Sequence, residues 1–103
     1  MFLGSYHFEG DPDELLAGCR RMREIIPAGE LDLHVCVRTP RGVIVFDTCP
    51  DEATFRAFGT GELFRQATAA SGLPMPRIEP LGEVVSTIVS PTVVAGSAVE
   101  VGR

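Results

Sequence analysis

"LDLHVCVRTPRGVIVFDTCP", residues 31–50, sets two valine-rich runs around Thr39-Pro40-Arg41-Gly42. The pattern is a β-hairpin, and its register decides which polar residues share a face. A two-residue type I′ or II′ loop would need positive φ at Pro40, which the proline ring forbids. A type I turn centred on Pro40 and Arg41, then Gly42 as a left-handed bulge, is predicted instead. Thr39 then lies opposite Val43, Val37 opposite Val45, Val35 opposite Asp47, Cys36 opposite Phe46 and His34 opposite Thr48. One predicted face holds Leu33, Val35, Val37, Val43 and Val45. The other holds Asp32, His34, Cys36, Arg38, Ile44, Phe46 and Thr48.

Upstream, "FLGSYHFE" (2–9) reads as a strand. In "GDPDELLAGCRRMREIIPAG", Asp11 is the expected N-cap, Pro12 the first helical residue and Glu14 the capping-box partner. Leu15, Cys19, Met22 and Ile26 form one apolar stripe, and Pro27 and Gly29 end the helix. Downstream, "CPDEATFRAF" repeats the Pro-Asp-Glu start signal. Gly59-Thr60-Gly61 breaks this second helix, "ELFRQATAASGLP" resumes it with Leu63, Phe64 and Ala67 inward, and Gly72 ends it. "RIEPLGEVVSTIVS" is a fourth strand, interrupted at Pro80 and Gly82.

The order β-α-β-β-α-β predicts an α+β, ferredoxin-like domain: a four-stranded antiparallel sheet with its helices on one face. The other face is too apolar to stay in water and calls for a cover, which a second copy would supply. Residues 1–90 form the expected domain. "PTVVAGSAVEVGR" (91–103) is too apolar for a free tail and is expected to dock on a partner or a sheet edge.

With 103 residues and 45% apolar content, the chain is one ordered domain. A formal net charge of −5 argues against nucleic acid or an anionic membrane as partner. There is no run of about 20 apolar residues to span a bilayer, and "MFLGSYHFEG" lacks a signal peptide's basic and apolar regions. Three cysteines without a C-x-x-C pair suggest a reduced, cytoplasmic protein and no metal site.

The element order, the size and the run "VIVFDTCPDEATFRAF…GELFRQATAASGLP" resemble the dimeric α+β barrel superfamily over roughly residues 1–90. The resemblance implies a homodimer whose two sheets close a barrel. It also implies a small-molecule function: a cofactor-independent cyclase, isomerase or monooxygenase acting on an aromatic or polyketide-like compound. The superfamily has no common catalytic signature, so it assigns no residue here. The tryptophan that ends the third strand of monooxygenase-like members has no counterpart, since the chain has no Trp. The alternative expectation is a binding or structural homodimer without turnover.

From the residues themselves, His34 is the leading candidate for a general base, because histidine titrates near neutral pH. The plain alternative is a histidine hydrogen-bonded at a dimer interface. His7 is a weaker candidate. If the two share a face, one strand still separates them by about 10 Å, and they cannot share a metal without a third group. Tyr6, Cys36, Phe46, Thr48, Phe55 and Phe58 are the expected pocket residues. Asp47 is expected on the helix side, as a helix cap first and a buried catalytic carboxylate second. Cys49, at a helix start among carboxylates, reads as a resting thiol, and Cys19 as core. Arg20, Arg21 and Arg23 read as a solvated helix face. Gly59-x-Gly61 reads as a kink, not a phosphate loop.

Overall fold

The computed structural model describes residues 1–26 and 33–90. The elements are β1 (Phe2–Glu9), α1 (Pro12–Ile25), β2 (His34–Thr39), β3 (Gly42–Cys49), α2 (Glu52–Gly59), α3 (Glu62–Ala70) and β4 (Arg77–Glu83). The strands form one open antiparallel sheet in the order β2-β3-β1-β4. This α+β arrangement is compatible with a ferredoxin-like fold. The expected strand end at Leu31 and Asp32, the stop at Pro27 and Gly29, and the docking of 91–103 lie outside the described residues.

Both helix starts are made by aspartate, but at different points of the repeated signal. Asp11 caps α1, its carboxylate accepting from the Glu14 N–H at 3.0 Å, with Pro12 as the first helical residue. Asp51 caps α2, accepting from the Thr54 N–H at 2.7 Å, so Pro50 precedes the cap. The second helix breaks at Thr60-Gly61 as expected.

The helices cover the sheet face that carries Phe2, Tyr6, Phe8, Val43 and Val45, and with Leu15, Phe55, Phe64 and Leu73 these make the core. Ring contacts run Phe2–Phe55–Tyr6–Phe64–Phe58 at centroid separations of 5.2–5.8 Å. Tilted pairs of this kind each add about 0.5–1.5 kcal/mol beyond their buried area. Gly4 makes this string possible: a Cβ there would stand 2.0 Å from the Phe55 ring. Phe64 and Ala67 point inward, but Leu63 is 61% exposed, which corrects its expected place. Helix α3 spends its apolar arc on Phe64, Ala67 and Thr68, and Leu63 falls outside it.

The hairpin register differs from the expected one by a single residue. Thr39 pairs with Gly42, Val37 with Ile44, Cys36 with Val45, Val35 with Phe46 and His34 with Asp47. The loop is two residues, Pro40 and Arg41, with neither at positive φ and no bulge in the pair. Gly42 takes the distortion at φ 157°, with its α-carbon packed so close to the Phe8 carbonyl that a Cβ would sit 2.0 Å from that oxygen. The Gly10 N–H then bonds the Arg41 carbonyl at 3.0 Å, tying the loop to the end of β1.

One residue of slip turns every side chain of β2 over. His34, Cys36 and Arg38 therefore lie on the helix side with Val43, Val45 and Asp47. Val35 and Val37 lie on the open face with Leu3, Ser5, His7, Ile44 and Phe46. Arg38 confirms the side: its guanidinium reaches Asp13 in the first turn of α1 at 2.6 Å.

Candidate functional site

Between the helix-side sheet face, α1 and the α2–α3 pair lies a cavity of about 480 Å³. Its walls are mainly apolar: Tyr6, Phe8, Met22, Val45, Phe58 and Phe64 among others. His34, Asp47 and Arg23 lie on the lining, beside the ionisable but ordinarily neutral Tyr6, Cys19 and Cys49. Ligand sites of ordinary size have this composition, an apolar wall with a few placed polar groups.

His34 and Asp47 meet across the β2–β3 pair, with Nδ1 2.5 Å from the carboxylate Oδ1. Their side chains are 25% and 17% exposed. The register brings them together, and the backbone around Leu33 holds them. The Leu33 N–H donates to Thr48 Oγ1 at 3.1 Å, and the Thr48 N–H donates to the Leu33 carbonyl at 3.2 Å. Thr48 thus clamps the residue that precedes His34. With Asp47 accepting from Nδ1–H, the neutral ring keeps its lone pair on Nε2, which has no hydrogen-bond partner among the described residues. A carboxylate-oriented imidazole with a free Nε2 on a cavity wall is the arrangement a proton acceptor needs.

Tyr6 stands on β1, two strands away on the same face. Its side chain is almost wholly buried, yet its hydroxyl has no hydrogen-bond partner among the described residues, and the residue lines the cavity. Burial first, then the nearby Asp47 carboxylate and the ionisable Cys49 thiol, push its phenol pKa up. It stays a hydrogen-bond donor over the whole physiological range. Cys49 is pushed up by burial, then by Asp47 and Asp51. The Cys19 thiol is pushed up most by its hydrogen bond with Cys36 and next by burial. Neither is an activated nucleophile.

Of the pocket residues expected from sequence, Tyr6, Thr48 and Phe58 line this cavity with His34. Phe55 lies behind them in the core at 0% exposed. Cys36 is on the helix side, exposed, beside Cys19. Phe46 is on the open face, opposite Val35 and Ser5. His7 is also on the open face, where Nε2 and the Ser5 hydroxyl are 2.8 Å apart, and it borders a separate surface hollow with Arg41 and Arg77. The two histidines are therefore on opposite faces. Asp47 is on the helix side as expected, but it pairs with His34, and the cap is Asp51. The supposed solvated face of α1 also divides. Arg21 donates to the Ser71 carbonyl at 2.9 Å, closing the end of α3, while Arg23 reaches the cavity. Among the described residues no group of His, Cys, Asp and Glu is placed to hold a metal ion.

No protein-family model matches the chain, and no curated protein matches it. Among the described residues no helix is long and apolar enough to cross a membrane.

Proposed function

We propose that the chain binds a small, largely apolar compound, aromatic or polyketide-like, in the cavity between its sheet and helices, and that His34 moves a proton on it without a cofactor. The observation that carries this reading is the His34–Asp47 pair on the wall of an apolar cavity of about 480 Å³. Asp47 orients the ring, and Nε2 is the accepting atom. Tyr6 offers a hydroxyl proton to a ligand oxygen in the same space. Isomerisation and ring closure, which move protons on carbon next to an oxygen function, are the reactions such a set serves.

The reading includes a homodimer of the dimeric α+β barrel type. Its support is the open sheet face, where Val35 is 40% exposed beside half-exposed Leu3, Val37, Ile44 and Phe46. In this reading the partner covers that face, and the cavity belongs to each subunit alone.

The test is a ligand-observed NMR screen of aromatic and polyketide-like fragments, with the His34 ring protons as reporter. Hits that shift His34 and are lost on filling the cavity by Val45→Trp support the site. A screen whose hits all leave His34 unmoved overturns it. Turnover of a hit that survives His34→Gln at full rate leaves a binding protein and removes the base.

A further inference from the structure

We propose that the compound bound in this cavity is a carboxylic acid, its apolar body inside and its carboxylate held at the mouth by Arg23. The proposal rests on the cavity being the ligand site and goes further by giving the ligand a charge.

Arg23 sits in the last turn of α1, exposed, with Met22 and Ile26 of the same turn also on the cavity lining. Pro50 and Thr54, both exposed, stand on the lining as well, so these residues form the rim. Among the described residues Arg38, Arg56, Arg65 and Arg77 each pair with a carboxylate, and Arg21 is used by the Ser71 carbonyl. Arg23 has no such partner among the described residues. Among the described residues it is also the one arginine or lysine on the cavity lining, and the ionic pair there, His34 and Asp47, is already satisfied internally. Arg20 and Arg41 also lack such a partner among the described residues, but Arg23 differs from them in lying on the lining of an apolar cavity, in a chain of net charge −5. Asp47 repels an anion from the inner wall, so the charge of an acid belongs at the rim and its apolar part inside. The fork of the guanidinium matches a carboxylate in two parallel hydrogen bonds.

A second observation points to the same ligand. The Tyr6 side chain lines the same space, and its hydroxyl has no hydrogen-bond partner among the described residues. That hydroxyl is open to the cavity, since no buried side-chain polar atom of the described residues lacks a partner, and a ligand oxygen there can accept from it. An acid with one further oxygen on its apolar body satisfies both groups at once.

The experiment compares naphthylacetate with naphthylethanol, which share the ring and differ in charge, by NMR titration of the whole chain with the His34 ring protons as reporter. The acid is expected to bind about tenfold more tightly, as one charge-assisted contact allows. That preference should shrink in about 0.5 M sodium chloride. Arg23→Gln should lower the acid to the affinity of the alcohol, Arg23→Lys should keep part of the preference, and Arg20→Gln, outside the lining, should leave it intact. Equal binding of both probes, unchanged by Arg23→Gln, overturns the acid while leaving the cavity as the ligand site. If neither probe moves the His34 signals, the cavity reading fails and the acid with it.

Discussion

His34 and Asp47 are paired across β2 and β3, and their side chains meet at 2.5 Å on the helix side of the sheet. The contact joins an edge strand to the strand beside it, so it can serve catalysis and also hold the edge in place. The two roles separate by substitution. His34→Gln and Asp47→Asn should each lower turnover of a substrate by about 10²–10⁴-fold, because the first removes the base and the second frees its orientation. In a double-mutant cycle followed by urea unfolding, the pair should show a coupling of about 0.5–3 kcal/mol. Additive losses would mean that the contact does not hold the strand. Any activity should depend on His34 more than on a cysteine, so Cys36→Ser and Cys49→Ser are expected to keep most of the rate.

Gly4 neighbours Asp47 on the same sheet row, and its missing side chain is the space into which the Phe55 ring fits. Gly4→Ala should cost about 1–3 kcal/mol in chemical unfolding, since Phe55 must leave its place. The double change with Phe55→Leu should regain part of that loss. A neutral Gly4→Ala would show that the ring moves freely.

Burial and nearby carboxylates hold Cys49 above the ordinary thiol value of 9.0, and its hydrogen bond with Cys36 and burial hold Cys19 above it as well. A raised folded-state pKa means that the folded form keeps the proton longer than the unfolded form. The stability that follows is complete below the ordinary value and is lost as pH rises above it. Unfolding free energy measured at a series of pH values should therefore fall above about pH 9. Cys49→Ala should flatten that decline. A curve that stays level from neutral pH through this range would contradict it.

The open face offers Val35, Val37, Ile44 and Phe46 for association. The chain should sediment as a dimer, burying on the order of 2,000 Å² in total. A mass near 11.1 kDa at micromolar concentration would refute this. Phe46→Glu should give that monomer and leave the His34–Asp47 contact in place, because the two faces are independent.

Local chemistry in the sequence was enough for the elements. Asp11 before a proline, the Leu15–Cys19–Met22 stripe and the glycine break after α2 are short-range signals, and each is read correctly without any tertiary contact. The faces of β3 were read correctly too, with Val43, Val45 and Asp47 on the helix side and Ile44 and Phe46 on the other. The register of β2 was not. Val35 and Val37 suit a helix-covered face, and they suit an apolar open face equally, so the hydrophobic pattern has two solutions one residue apart. Turn chemistry alone favoured the wrong one. The deciding contacts are distant in sequence: Gly42 pressed on the Phe8 carbonyl, Gly10 bonded to Arg41, Thr48 clamping Leu33 and Arg38 reaching Asp13. Asp47 meets His34, and Arg23 reaches the cavity, only through this packing. Sequence spacing within one strand or helix carries no information about which neighbouring element its side chains will face.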